Sequence, residues 1–457
     1  MLLNDRILHK VIESALSQGA DFAEVYVEDT HKRNYTWLDG KPEKAISGHT
    51  LGAGIRLFSG TEQIYTYTND LSEAGLLRAA MQAAAAMASH KKILPQAWRQ
   101  SETFGAAYLP TTGGERQWQA LRQMDEQARG FSSLITQVHA EMNETHKTVQ
   151  VLNSEGVHRQ EGRSYLSAFI RPVAEENGAK ETGYERTSFL GTPEDWQKVN
   201  FKEMALEAAG SAVRVLRADW APAGEVPVVL DNAFGGVIFH EACGHGLETT
   251  SVAKNASVFC GKLGQKIANE CVTAIDDGTL VGENGSLEMD DEGENTRRTV
   301  LIEKGILKSY IVDKMGARKT GYAVTGSGRR QDYRFAPTSR MRNTFIAAGD
   351  STFEEMIRDV DDGLYAKKLG GGSVSPGTGS YNFAVAEAYL IKNGRIGKQV
   401  KGASLIGTGI ETLGRIVKVS HDLKLSPGTC GSISGMIPVT VGQPQILVAK
   451  LTVGGKA

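Results

Sequence analysis

The chain has 457 residues, too many for one hydrophobic core, so two or three domains are expected. Hydrophobic residues at 40% and charged residues at 23% are ordinary for a water-soluble globular protein. A net charge of −2 and a pI near 6.6 give no electrostatic reason to expect nucleic acid or an anionic membrane as partner.

The first segment reads as an amphipathic helix with Ile7, Leu8, Val11, Ile12, Ala15 and Leu16 on one face. Charged residues interrupt its apolar run, which argues against a signal peptide. No window approaches a transmembrane span; the most apolar candidate, Ala79 to Ala88, is short and alanine-rich, like a packed helix. After Gly19, Asp21 to Asp29 alternates as a strand through Phe22, Val25 and Val27. Leu51–Phe58 and Gln63–Thr68 form a hairpin joined by Ser59-Gly60. Asp70 with Glu73 resembles a capping box opening a helix over Leu71–Ser89. Together these make an α+β unit over residues 1–95.

Residues 91–114 are rich in turn formers (Pro95, Pro110, Gly113, Gly114) and mark a boundary. A second, strand-rich unit is expected over 110–220. It begins with a helix at Glu115–Arg129 and continues in strands near 131–142, 147–152 and 163–174, with Asn153-Ser-Glu-Gly156 as a turn. Thr192-Pro193 supplies an N-cap and first-turn proline for a long helix to Leu216, whose apolar face is Met204, Ala208, Ala212, Val213 and Leu216. Ala221-Pro-Ala-Gly224 marks the next boundary. The third unit, 221–457, is dominated by short strands and glycine turns, and the 52 glycines concentrate in this half. Two hairpins echo each other at Lys304-Gly305 and Asn393-Gly394, pairs suited to positive φ. The fold class is therefore α+β, an N-terminal mixed α/β lobe followed by a β-rich C-terminal domain.

Within that last unit, strand Val226–Leu230 leads into Asp231-Asn-Ala-Phe-Gly-Gly-Val-Ile-Phe-His240-Glu241-Ala-Cys-Gly-His245-Gly-Leu-Glu248, with Asp231 placed to cap the helix. Two imidazoles suited to zinc bracket a carboxylate able to take a proton from water, the chemistry of a metal-assisted hydrolase. The spacing is H-E-x-x-x-H, and histidines five apart lie roughly 140° around a regular helix. An inserted π-type turn, or unwinding at Gly244, is needed to bring His240 and His245 together with Glu241 near the metal but unbound. Two hydrogen-bonded histidines at a helix end are the structural alternative.

A catalytic zinc usually takes three protein ligands. Candidates for the third are Cys430 in the turn-rich Ser426-Pro-Gly-Thr-Cys-Gly-Ser432, His421, Glu248, the Asp290-Asp-Glu292 cluster and the other cysteines. Glu248 is better suited to orienting a ligand than to binding the ion. The four cysteines, Cys243, Cys260, Cys271 and Cys430, form no C-x-x-C pair, so no disulfide is expected and the cytoplasm is the expected compartment.

Three stretches together resemble the TldD branch of the TldD/PmbA family of zinc metallopeptidases. They are His240-Glu-Ala-Cys-Gly-His-Gly-Leu-Glu248; Asp290-Asp-Glu-Gly293 through Val300-Leu-Ile-Glu303 to Gly328-Arg329-Arg330; and Glu387-Ala-Tyr-Leu-Ile391 through Cys430-Gly431 to Thr452-Val-Gly-Gly455. The resemblance implies that His240, His245 and Cys430 bind zinc and that Glu241 is the general base. It also implies peptide or unfolded-protein substrates and a dimer, either of two copies or with a PmbA/TldE-like paralogue. The competing expectation is a non-catalytic regulatory subunit of the gyrase-modulator or antitoxin-linked type. Tyr381-Asn-Phe-Ala-Val385 is one strand on which a peptide could align, or an ordinary core strand. Arg329, Arg330, Arg334, Arg340 and Arg342 read as solvated or internally paired, with no assigned role.

Overall fold

The computed structural model describes residues 2–87, 95, 102–105, 114–375 and 377–456. Apart from residues 95, 102–105 and 114, the turn-rich boundary expected over 91–114 lies outside them. Helix α1 (Asp5–Leu16) starts where Asn4 accepts from the Arg6 amide, and it buries the expected stripe of Leu8, Val11, Ile12, Ala15 and Leu16. Strands β1 (Phe22–Leu38), β2 (Lys41–Ser59) and β3 (Glu62–Thr68) follow, then α2 (Glu73–Ala85), β4 (Glu102–Phe104) and α3 (Glu115–Phe131). Next come β5 (Ile135–Asn153), β6 (His158–Glu176), β7 (Ala179–Thr182), β8 (Glu185–Leu190) and α4 (Phe201–Leu216). The eight strands form one sheet in the order β3-β2-β1-β5-β6-β4, with β7 and β8 also paired to β6.

Successive side chains of a strand point to opposite faces, and the two faces of this sheet do different work. On one face Val25, Val27, Ile55, Leu57 and Leu152 pack beneath α1 and α2. Further along that face Val138, Ala140, Met142, Leu166 and Ala168 pack beneath α3 and α4. The opposite face presents Tyr26, Val149 and Val151 to Met289 and Tyr333 of the C-terminal half.

In the C-terminal half, β9 (Asp219–Trp220) and β10 (Gly224–Leu230) open a second eight-stranded sheet. Strands Asp362–Ser375, β10, Ile446–Gly454, Ser404–Thr408 and Ser380–Lys392 pair in that order, and the last pairs back to the first to close a ring. A six-stranded sheet runs Ile306–Leu307, Arg298–Glu303, Ala274–Asp277, Asn343–Ile346, Gly435–Gln443 and Lys424–Ser432, which leaves Lys424–Ser432 at an edge. The largest apolar core lies in this half. The fold is α+β, with the β-rich C-terminal domain expected from the sequence. No helix among the described residues is long and apolar enough to cross a membrane.

Several local expectations hold. The 59–60 hairpin forms, and Lys304, Gly305, Asn393 and Gly394 all have positive φ. Others need correction. The segments near 131–142 and 147–152 are one continuous strand, because Glu144 between them is buried yet accepts hydrogen bonds from Trp196 and Gln117. Thr192-Pro193 opens only a short 3-10 helix, Pro193–Lys198; α4 begins afresh after Asn200, whose side chain accepts from the Glu203 amide. Ser72, not Asp70, caps α2. Tyr381–Val385 lies within a strand paired on both sides, so it offers no open edge.

Buried charges join the first sheet to the C-terminal half. Arg56 bonds Glu24 at 2.6 Å and ion-pairs with Glu292 at 2.7 Å; Arg330 reaches Glu24 at 2.7 Å, and Arg163 reaches Asp291 at 2.5 Å. Burial, reinforced by Asp313 and Glu24, pushes the Glu292 carboxyl up to about 7 against the pull of Arg56. Between its ordinary 4.5 and that value the folded chain holds a proton that the unfolded chain releases. The contribution of Glu292 to stability therefore falls as pH rises through this window. Urea-unfolding midpoints should drop between about pH 5 and about pH 7 in the wild type, and Glu292→Gln should flatten that slope.

Candidate metal centre

The site begins where β10 ends. Asp231 does not cap the following helix. Its carboxylate accepts from the Asn232 amide, the Tyr365 hydroxyl and the Gln445 amide, tying the loop to neighbouring strands. A 3-10 turn, Ala233–Gly236, comes first, and α5 (Val237–Ala242) then buries Val237, Ile238, Phe239 and Ala242 in the main core. The turn must carry glycine at 236, where a Cβ would lie 2.4 Å from the Gly442 carbonyl oxygen.

Helix α5 stops at Cys243, whose φ of −129° and ψ of −47° leave helical geometry, and Gly244–Leu247 continues as a 3-10 turn. The chain thus unwinds, as one of the two expected routes requires. The residue that changes conformation is Cys243, however. Gly244 is required for room, since a Cβ there would sit 2.0 Å from Met341 Sδ. The break brings the rings of His240 and His245 to 5.1 Å between centroids at 86°.

Cys430 meets them from the edge strand Lys424–Ser432, not from a loop. Pro427 and the glycines around it suggest turns, but edge strands tolerate them. His240 Nε2 lies 3.2 Å and His245 Nε2 3.3 Å from Cys430 Sγ, and all three residues are buried. Glu248 Oε2 is 3.0 Å from His245 Nδ1, and Glu248 Oε1 accepts from the Met341 amide. The carboxylate thereby holds the proton on Nδ1, so that Nε2, turned to the sulfur, is the nitrogen an ion would take in place of its own proton. His240 Nδ1 is buried with no hydrogen-bond partner among the described residues. Glu241 is partly exposed, with Oε2 3.7 Å from His245 Nε2.

Burial would raise the Cys430 thiol, but His240 and His245 hold it well below the usual thiol range. Burial would likewise lower His245, yet Glu248 and Cys430 raise it well above its ordinary value. Without an ion the pair favours thiolate and imidazolium, which is the electrostatic signature of a place suited to positive charge. The donor set of two imidazoles and one thiolate fits zinc. Tetrahedral ligation at usual bond lengths would set N and S about 3.6 Å apart, close to the spacing seen.

Of the other sequence candidates, His421 is exposed, with Nδ1 3.1 Å from the Ser351 carbonyl oxygen. Asp291 and Glu292 belong to the buried charge network. Asp290 is occupied by the amides of Glu292, Glu294 and Gly328. All four cysteines are unpaired, and burial pushes Cys243 far above the thiol range. Among the arginines, Arg330 and Arg342 pair internally and Arg334 pairs with Asp332. Arg340 has a part the sequence did not reveal. Fully buried, it donates to the Cys430 carbonyl at 2.6 Å and to Ser434 Oγ and the Gly435 carbonyl at 2.9 Å, clamping the hairpin that carries the thiol.

Comparison with known proteins gives a consistent result. Residues 23–88, 110–216 and 223–455 match the profiles of PmbA/TldA metallopeptidase domain 1, the central domain and the C-terminal domain. A protein of Haemophilus influenzae named metalloprotease TldD homolog is 35% identical, covering 99% of this chain and 97% of its own. A Saccharolobus solfataricus protein named zinc metalloprotease TldD homolog is 34% identical over 53% of this chain and 54% of its own. Among solved structures, TldE from Thermococcus kodakarensis has a TM-score of 0.77 at 18% identity, covering 98% of this chain and all of its own. A Thermotoga maritima protein named for modulation of DNA gyrase has a TM-score of 0.77 at 20% identity, with coverage of 98% and 100%. Similarity at that level concerns the fold alone.

Gly244→Ala should cost roughly 1–3 kcal/mol by overpacking against Met341 and should also weaken metal retention. Urea unfolding together with elemental analysis checks both, and Met341→Ala in the same chain should restore part of each.

Proposed function

Because the chain belongs to the PmbA/TldD metallopeptidase family, we propose that it is a zinc-dependent peptidase acting on unfolded or flexible peptides. The observation that carries this reading is the approach of both Nε2 atoms to Cys430 Sγ, at 3.2 and 3.3 Å. His240, His245 and Cys430 would hold the ion. Zinc bound there supplies Lewis acidity, polarising a peptide carbonyl and lowering the pKa of water from about 15.7 toward 7. Glu241 takes the proton of the attacking water and hands it to the departing amine; its partial exposure suits a group that meets substrate. Glu248 keeps His245 oriented, and Arg340 keeps the Cys430 backbone in place.

Lys424–Ser432 is the last strand of its sheet, so an extended peptide could align along its outer side near the thiolate. Recognition through main chain alone accounts for action on many sequences. The proposal includes a dimer, of two copies or with a TldE-like paralogue; the shared fold with a TldE structure supports the second form. It also includes a cytoplasmic setting, which suits four unpaired cysteines. The regulatory reading draws on the Thermotoga maritima likeness, but a purely binding role leaves the convergent donor set without a purpose.

Glu241→Ala should retain zinc and lose at least about 10²-fold in hydrolysis of an unfolded protein, assayed with and without the paralogue. His240→Ala and Cys430→Ala should lose the metal itself, read by elemental analysis. Wild-type cleavage by Glu241→Ala would remove the assigned base, and full zinc retention by both ligand variants would remove the site.

A further inference from the structure

The helix-covered face of the first sheet has a polar interval between its two apolar patches. On β1 this interval falls after Val27, which packs under α1 and α2, and before Tyr35, which packs under α3. His31 lies there, directly opposite His49 on β2 and His146 on β5. Directly paired residues project from the same face, so three imidazoles stand in one row across adjacent strands.

The rings of His31 and His49 stack with centroids 4.3 Å apart and planes 12° apart. Asp29, two residues before His31 and so on the same face, brings Oδ1 to 3.1 Å from His31 Nε2 and 2.8 Å from His49 Nε2. The potential ligand atoms of the three residues all lie within 4.8 Å of one another. His146 is buried, with Nδ1 3.1 Å from Ser164 Oγ and Nε2 lacking any hydrogen-bond partner among the described residues.

We propose that Asp29, His31 and His49 bind a second divalent ion of the zinc, nickel or copper type. Two imidazole nitrogens and a carboxylate oxygen suit such borderline ions, with water completing the coordination. The ordinary alternative is a carboxylate shared by two ring N–H groups. Its side chains are 31%, 38% and 49% exposed, where such pairs contribute at most about 1 kcal/mol. A bound ion replaces both ring protons and cross-links β1 to β2. Arg33, two residues further on the same face, opposes the added charge, so binding should be weaker than at the thiolate site. The proposal stands independently of the peptidase reading, since none of its residues belongs to that centre.

The full chain, titrated with zinc chloride and dialysed, should retain about two equivalents by elemental analysis. Replacing zinc by cobalt separates the sites, because of the two only the one with Cys430 has a sulfur donor to give a sulfur-to-metal charge-transfer band. His49→Gln, His31→Gln and the conservative Asp29→Asn should each weaken the second equivalent at least about tenfold while leaving that band intact. Cys430→Ala should abolish the band and keep the second equivalent. The proposal is overturned if the Cys430→Ala variant binds no ion, or if the second equivalent survives in the His31→Gln/His49→Gln double variant, which would mark it as adventitious. Melting curves of the three single variants establish that they are folded, and any one of them that is folded suffices for the test.

Discussion

The candidate site in the C-terminal half depends on keeping a buried sulfur beside two buried imidazoles. A thiolate out of water is costly unless positive charge lies against it. Without an ion that charge falls on His245, which Glu248 and Cys430 hold well above its ordinary value, and a divalent ion could take its place. Three separate devices serve this one meeting. The interrupted helix turns His245 back toward His240, the Glu248 carboxylate fixes the ring, and the Arg340 guanidinium fixes the backbone of the opposing strand. Each acts from a different element, so a shift in any of them separates the donors.

The same half is held against the first sheet by charges, not by an apolar seam alone. Removing one member of such a buried set leaves another uncompensated, typically at a cost of roughly 3–5 kcal/mol. Tyr26 and Tyr333 pack within the same layer, and Arg330 lies over the Tyr26 ring at 4.2 Å. Alignment between the halves is thereby specified by direction-sensitive contacts, whereas apolar packing alone would allow sliding.

Much of this was legible in the residues, for reasons that can be named. His240, Glu241 and His245 announce their chemistry locally, and a five-residue step demanded a break in the helix. Which of the two expected routes the break takes was not legible, nor was the need for glycine at 244, because the contact that forbids a side chain there comes from Met341, far along the chain. Cys430 looked like a loop residue since edge strands admit proline and glycine. Arg340 carried no signal at all; its partners are backbone carbonyls and one hydroxyl, which no spacing rule reveals. The joining of 135–153 into one strand was hidden by a polar centre whose partners are Trp196 and Gln117. Likewise, His31 and His49 become neighbours only through strand register, which sequence alone leaves open.

If a peptide docks along Lys424–Ser432, the last strand of its sheet, as proposed, that placement has a consequence for what the protein would leave alone. A docking ledge made of backbone donors and acceptors can engage only a segment whose own amides are unclaimed, and a native domain has few of these. Selection is then by conformation, as a turnstile admits by shape. On the peptidase reading proposed above, intact neighbours would be spared without any recognition of who they are, and a damaged one would become eligible as soon as it frays.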